Sequence, residues 1–219
     1  MSVLIKICGL RTAEAVDVSL HAGAEMVGFV FFPPSPRHLD LAAARLLGAR
    51  VKGRALKVAL SVDADDVLLA AIIEALAPDI LQLHGRESPK RVLAVKARFR
   101  LPVMKAIAVE TRDDLASVPE YAEVADRLIF DAHAPHDATR PGGLGKPFEW
   151  RLLKNLDPRV PFMLSGGLNP DNVAEAIAIT RAGGVDVSSG VERAPGDKDP
   201  DLIRAFIRAA RGAATRKRA

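Results

Sequence analysis

Two residues near the start of the chain open the chemical reading. Cys8 stands one residue past the apolar run VLIKI (3–7), and Lys6 lies two residues before it. If the strand continues through position 8, both side chains point to the same side. A nearby ammonium lowers a thiol pKa and raises its thiolate fraction. Cys8 is therefore a candidate general base or nucleophile. A nucleophile calls for a histidine partner, and the nearest candidate, His84, is three strands away. The base role needs no partner and is preferred. Asp131 ends the run RLIFD (127–131) and is a candidate general acid, held protonated if partly desolvated. Arg37 follows PPSP (33–36), whose prolines stiffen the loop that aims it. A guanidinium matches a carboxylate in a two-pronged hydrogen bond. Asp186 sits between Val185 and Val187, and a buried Asp needs a partner. It reads either as a satisfied structural acid or as a ligand-facing acceptor. His84, in QLHG, reads either as core or as a substrate contact.

Glycines give the second signal. The segments SGGLNP (165–170) and SSGVE (188–192) bring Gly166, Gly167, Ser189 and Gly190 to two successive strand ends. A third segment, PGGLGKPF (141–148), adds Gly143 and Gly145 and can close over the same corner. Glycine lets backbone N–H groups approach an anion closely. The ligand implied is a small phosphorylated molecule. The histidines at 21, 38, 133 and 136 form no metal-ligand spacing. His133 and His136, with Asp131 and Asp137, mimic a metal cluster but crowd one loop, so no metal is expected.

These residues must be positioned by regular elements. Apolar runs rich in Val, Ile, Leu and Phe read as buried strands at 3–7, 26–31, 56–61, 79–84, 102–107, 127–131, 161–165 and 185–188. Helical spacing falls at roughly 12–22, 40–50, 65–76, 88–98, 112–118, 149–155, 170–181 and 200–210. Thr12, Asp40, Ser88 and Asn169 stand at N-cap positions, with Pro170 opening a helix. Gly23 closes the first helix and Gly183–Gly184 the seventh. Regular strand–helix alternation, at about 25 residues per unit, predicts a single-domain (β/α)8 TIM barrel. A doubly wound open sheet is the alternative, but its Gly-rich first turn is absent, since the turn here is CGLRT. A barrel places its active site at the C-terminal strand ends. That filter selects Lys6, Cys8, Arg37, His84, Lys105, Asp131, Ser165, Asp186 and Ser188.

Composition narrows the class of function. The chain has 219 residues, 49% of them hydrophobic and 26% charged, with one Cys. A disulfide framework and a Cys-rich zinc site are excluded. No apolar run approaches the ~18 residues of a membrane span, and the N-terminus does not read as a secretory signal. A cytoplasmic enzyme is the expectation. The net charge of +4 resides in the last nine residues, where Arg211, Arg216, Lys217 and Arg218 face no acid. Taking those four from 31 basic residues leaves 27, matching the 27 acidic ones. The body is thus neutral, and no nucleic-acid partner is expected. Residues 1–210 read as the catalytic barrel and 211–219 as a frayed basic tail.

Strings in this order resemble one family. KICGL (6–10), GFVFFPPSPR (28–37), LQLHG (81–85), FDA (130–132), PGGLGKPFEW (141–150), LSGGLNPDNV (164–173), GVDVSSGVE (184–192) and PGDKD (195–199) are similar to the phosphoribosylanthranilate isomerases. The resemblance spans residue 3 to about 207. It implies an Amadori rearrangement, without metal or cofactor, in tryptophan biosynthesis. N-(5-phosphoribosyl)anthranilate would become 1-(2-carboxyphenylamino)-1-deoxyribulose 5-phosphate. It also implies Cys8 as base, Asp131 as acid and Arg37 on the anthranilate carboxylate. Asp186 would face the anthranilate nitrogen, His84 and Lys6 would line the site, and the loop glycines would hold phosphate. Two positions depart from the family pattern: Leu144, where a small hydroxyl residue is more usual, and Glu149, where Asp is usual. The chain reads as a monomer or homodimer.

Two other readings compete. One is another phosphosugar barrel enzyme, such as an indole-glycerol-phosphate synthase or a phosphopentose epimerase. The synthase calls for a lysine–glutamate set and a longer N-terminal extension, and the epimerase for strand-end metal histidines. The other is a non-catalytic phosphate-ligand binder, which has no need of both Cys8 and Asp131.

Overall fold

The computed structural model describes residues 3–133 and 147–216. Eight parallel strands close into a barrel in chain order: β1 (Leu4–Cys8), β2 (Met26–Phe31), β3 (Leu56–Ser61), β4 (Ile80–Leu83), β5 (Val103–Val109), β6 (Arg127–Ala132), β7 (Phe162–Leu164) and β8 (Gly184–Val187). The β1–β8 pairing, with Lys6 opposite Asp186, shuts the ring. The (β/α)8 expectation holds.

Strand parity explains what each side chain does. Leu4, Met26, Val58, Ile80, Met104, Ile129 and Met163 pack together inside the ring and fill its floor. The thioether side chains suit this irregular centre, because Met fills gaps that branched residues leave. Two residues further along each strand comes the next inward layer: Lys6, Gly28, Leu60, Gln82, Ala106, Asp131, Ser165 and Asp186. The alternate residues, such as Ile5, Ile7, Val27, Phe29, Leu81, Leu128 and Phe130, face out and are buried under the helices.

The helices are α1 (Ala13–Ala22), α2 (Leu41–Val51), α3 (Asp66–Leu76), α4 (Pro89–Phe99), α5 (Val118–Val124), α6 (Val173–Thr180) and α7 (Pro200–Arg216). Thr12, Asp40 and Ser88 cap as expected, each accepting from the N–H three residues on. Gly23 closes α1 at φ +94°. Other boundaries differ from expectation. The helix expected at 112–118 is a 3-10 turn, Arg112–Ser117, and α5 only follows it. The helix expected at 149–155 is one 3-10 turn, Trp150–Leu153, with Glu149 accepting from the Arg151 N–H. In the seventh unit α6 begins at Val173, not at Pro170. There Asn169 and Asn172 bind each other's backbone N–H groups, so the first turn is tied by side chains. Arg181, at φ +55°, ends α6, while Gly184 is already in β8. A Cβ on Gly184 would press against Met163.

Helix α7 runs through position 210 to Arg216. Arg211 donates to the carbonyls of Val3 (2.7 Å) and Gly23 (3.0 Å) and pairs with Glu25. Its guanidinium thus ties the C-terminal helix to the bottom of β1 and the start of β2. No helix among the described residues is long and apolar enough to cross a membrane.

Candidate active site

The first strand delivers Lys6 and Cys8 to the same inner side. Lys6 is fully buried and donates to Asp186 Oδ1 at 2.8 Å. Asp186 Oδ2 accepts from Ser165 Oγ at 3.2 Å. Asp186 therefore has its partners within the barrel, and Lys6 is first a counter-ion to it. Burial opposes the Lys6 charge, but Asp186 and Cys8 outweigh burial and hold its pKa above the ordinary value. Gly28, beside them on β2, makes the room: a Cβ there would come within 2.9 Å of Cys8 Sγ and 3.2 Å of Lys6 Cε.

The thiol itself corrects an expectation. Lys6 does pull the Cys8 pKa down, as its spacing suggested, but burial pushes harder and the net shift is upward. The sequence shows the neighbour and not the lost solvent.

Across the mouth, Asp131 faces His84. Their Oδ2 and Nε2 atoms are 3.1 Å apart, and the other ring nitrogen meets Gln82 Nε2 at 3.0 Å. With the Gln82 amide donating to Nδ1, the ring carries its proton on Nε2 and donates to Asp131. Asp131 Oδ1 accepts from the Ala132 N–H at 2.9 Å. Gly166, at φ +84°, lets the next loop approach: a Cβ there would lie 2.5 Å from the Ala132 nitrogen and 3.0 Å from Asp131 Oδ1. Because β1 pairs only with β2 and β8, and β6 with β5 and β7, Cys8 and Asp131 stand on separate sides of the ring.

Arg37 is buried, and its Nε and Nη2 each donate at 2.7 Å to Glu192. Gly9, at φ +78°, leaves space for the arginine stem, which a Cβ would meet at 2.6 Å. On the neighbouring rim, Gly167 has φ +66° and its carbonyl accepts from Asn172 Nδ2 at 2.9 Å. Gly190 lies so close to the Leu168 carbonyl that no side chain fits. The loops after β7 and β8 thus pack into one rim, with Ser189 opening the turn Ser189–Val191. Gly143 and Gly145, like Leu144, lie outside the described residues. So do His136 and Asp137. Among the described residues no group of three or more His, Cys, Asp or Glu is arranged to hold a metal ion.

A family model described as N-(5'phosphoribosyl)anthranilate (PRA) isomerase matches residues 5–209. The chain belongs to this family. A phosphoribosylanthranilate isomerase of Nitrobacter hamburgensis is 67% identical over 213 residues, covering 97% of this chain and 95% of that one. One of Bradyrhizobium diazoefficiens is 66% identical over 211 residues, covering 96% and 95%. Among solved structures, the Thermotoga maritima phosphoribosylanthranilate isomerase superposes with TM-score 0.86 at 36% identity, over 96% of this chain and 99% of that chain. Another isomerase of the family was solved with reduced 1-(o-carboxyphenylamino)-1-deoxyribulose 5-phosphate, with TM-score 0.83 and 33% identity, over 96% and 99%.

Set within the isomerase family, the sequence-predicted residues fall into three groups at the mouth: Lys6, Cys8 and Asp186; His84 and Asp131; and Arg37 with the glycine rim. Lys105, also selected by the strand-end filter, is not among them. It points outward from β5 to Glu87. Sequence reasoning passed over Gln82, Glu192 and Lys198. All three lie inside the strings that carried the resemblance (LQLHG, GVDVSSGVE and PGDKD), so their signal was present without a role attached.

Proposed function

We propose that this isomerase performs the Amadori rearrangement of N-(5-phosphoribosyl)anthranilate with Asp131 as acid and Cys8 as base. One observation carries this reading: the two groups come from non-adjacent strands, both face inward, and both stand at the barrel mouth. Protons must move at two different atoms of the sugar, and separated groups serve that need. Asp131 gives its proton to the furanose ring oxygen as the C1–O bond breaks, leaving an open-chain iminium at C1. Cys8, as thiolate, takes the proton from C2, and the C–H electron pair forms the enolamine. Tautomerisation to the ketone completes the product. His84 donates to the Asp131 carboxylate left behind and stabilises its charge.

The ends of the substrate have matching places. Arg37 receives the anthranilate carboxylate. The phosphate lies against the N–H groups of Gly166, Gly167, Ser189 and Gly190, joined by Gly143 and Gly145 of the sixth loop. Barrels commonly bind phosphate at the loops after strands 7 and 8, which supports this end. Asp186 accepts from the anthranilate nitrogen while Lys6 holds the carboxylate in place through its hydrogen bond to Oδ1. The cytoplasm is the expected setting, and the form is monomer or homodimer. The Thermotoga maritima relative is dimeric.

The test is loss of phosphoribosylanthranilate fluorescence on adding the purified protein, with chelator present and with Cys8→Ala and Asp131→Asn alongside. Wild-type turnover that survives the chelator and collapses in both variants is the expected result. Near-wild-type turnover in either variant removes that residue's role.

A further inference from the structure

The arginine assigned to the carboxylate does not stand alone. After β8 the chain forms an antiparallel hairpin, β9 (Glu192–Ala194) and β10 (Asp197–Lys198). Its turn residue Gly196, at φ +85°, lies against the loop that carries Arg37; a Cβ there would be 2.5 Å from the Pro36 carbonyl oxygen. Arg11 Nη1, from the loop after β1, donates to that same carbonyl at 3.0 Å and ties the Arg37 loop to the first strand's exit. Within the hairpin, Lys198 Nζ donates to Glu192 Oε1 at 2.7 Å, to the Ser188 carbonyl at 2.8 Å and to Ser188 Oγ at 3.2 Å. Ser188 Oγ in turn donates to the Cys8 carbonyl at 3.1 Å. The side chains of Arg37, Glu192 and Lys198 are each at most 5% exposed, so water screens none of these charges.

Two features of this cluster go beyond packing. First, Glu192 occupies the Nε–Nη2 edge of Arg37 in a side-on pair. That leaves the Nη1–Nη2 edge for a second carboxylate, in the forked geometry that guanidinium favours. The arginine is thereby fixed in rotation as well as in place. Second, the charges are unequal. Arg37 with Glu192 alone would be neutral and would hold a substrate carboxylate only by hydrogen bonds. Lys198 brings the buried cluster to one net positive charge, which matches one carboxylate. The Glu192 pKa is held below its ordinary value: burial opposes this, and Arg37 and Lys198 outweigh burial.

We propose that Glu192 and Lys198 are positioning residues that aim Arg37 and set the net charge of its corner, so that the hairpin determines selectivity for a monoanionic carboxylate on the substrate. This rests on the assignment of Arg37 to the anthranilate carboxylate. The consequence is a division of labour along the substrate. The hairpin governs the carboxylate end and leaves the phosphate end alone.

The experiment compares Lys198→Met, Lys198→Arg, Glu192→Gln, Arg37→Met and the double variant Arg37→Met/Lys198→Met in the full chain. KM and kcat are measured for phosphoribosylanthranilate, with ribose 5-phosphate as a competitor that lacks the carboxylate. Lys198→Met and Glu192→Gln are expected to raise KM about 10-fold or more, the scale of a lost charged hydrogen bond, with kcat within about threefold. Lys198→Arg recovers most of the loss, and the Ki of ribose 5-phosphate stays unchanged throughout. In the Arg37→Met background, Lys198→Met adds less than about twofold, because a residue acting through Arg37 has nothing left to act on. Additive effects in the double variant overturn the proposal. So does a parallel loss of kcat and ribose 5-phosphate binding, which marks a merely structural role. A KM raised by Arg37→Met but untouched by Lys198→Met and Glu192→Gln also overturns it. A KM unmoved by Arg37→Met defeats the carboxylate assignment beneath it, and is distinguishable for that reason.

Discussion

Two lysines lie buried in strands of this barrel, each paired with a carboxylate, and they differ in which way they point. Lys6 faces inward from β1 and pairs with Asp186 at 2.8 Å. Lys105 faces outward from β5, between inward Met104 and Ala106, and pairs with Glu87 at 3.0 Å. The outer pair is closed on itself. Lys105 also donates to the carbonyls of Gly85 (2.8 Å) and Leu83 (3.3 Å), and stands 5.6 Å from the centre of the Tyr121 ring. Glu87 accepts from the Asp63 and Gly85 N–H groups, so the pair joins the body of β5 to the loops after β3 and β4. The inner pair has one direct lysine–carboxylate bond, one serine donor and a thiol beside it. Their protonation follows suit. Burial pulls the Lys105 pKa down despite Glu87, whereas the acidic neighbours of Lys6 overcome its burial. Parity thus separates two lysine–carboxylate pairs: one braces loops, and the other lies beside the thiol at the mouth.

The sharpest way to break the comparison is through the inner layer itself. Cys8→Ala and Asp131→Asn are expected to lower kcat/KM by about 10²–10⁴-fold, the range of a positioned acid or base. Neither residue is a partner in the Lys6–Asp186 or Lys105–Glu87 pair, so urea midpoints should move far less than turnover does. If the midpoint falls while turnover persists, the inner layer is structural and the contrast with Lys105 disappears.

Next come the pairs. Removing one partner of a buried pair strands a charge and costs about 3–5 kcal/mol. Asp186→Asn and Glu87→Gln should both show that loss in urea unfolding. Only Asp186→Asn should also depress kcat/KM, by about 10-fold or more, given the worth of a hydrogen bond to a charged group. Equal loss of turnover in Glu87→Gln would mean the outer pair reaches the site after all, through the loop at Gly85.

The same parity explains what was legible in the sequence. Eight apolar runs separated by helical stretches are visible without structure, because a buried parallel strand must be apolar on both faces. That Lys6 and Cys8 share a side follows from their spacing alone. Lys105 was selected wrongly because the strand-end filter ignored which face a residue takes. Glu192 found no role because its partner Arg37 is 155 residues away and its own strand has only three residues, too few for any period. Two aspects of the mouth were invisible in principle. One is the desolvation of Cys8, which depends on what packs over it. The other is the start of α6, where Asn169 and Asn172 tie each other's backbone in place of a simple cap.

The thiol supplies a pH test of intermediate size. Burial first, against the pull of Lys6, raises the folded-state pKa of Cys8 above its ordinary value. The thiolate fraction of the free enzyme therefore climbs only at pH above the ~8.5 of an unperturbed thiol. Iodoacetamide labelling followed by mass is unambiguous, because the chain has one Cys. Its rate should rise with pH, with a midpoint above that of a cysteine peptide. The sign carries over to stability. A group whose folded pKa is raised contributes stability that is fully present below the unfolded pKa. That contribution fades as pH rises through the folded value. Wild type should lose more stability than Cys8→Ala across that alkaline window. A labelling midpoint below the peptide's would make Lys6 the winner over burial.

The smallest expected effect isolates the outside of the barrel. Ser88 follows Glu87 directly and caps α4, its Oγ accepting from the Arg91 N–H at 3.3 Å. It shares the outer region's loop but holds no charge, and its hydroxyl bonds to the start of α4 and not to the Lys105–Glu87 pair. Ser88→Ala deletes one acceptor and leaves a helix N–H to water, at a cost of about 1 kcal/mol. Thermal unfolding should register that loss, while KM and kcat remain at wild-type values. The reasoning is that α4 bears on the outer face of the sheet, and the inward residues of β4, Gln82 and then His84 just past it, are held by the barrel interior. Should Ser88→Ala instead raise KM, the helix start would be controlling His84 through the intervening Gly85–Glu87 turn. The outer region would then be part of the site's support, not a separate brace.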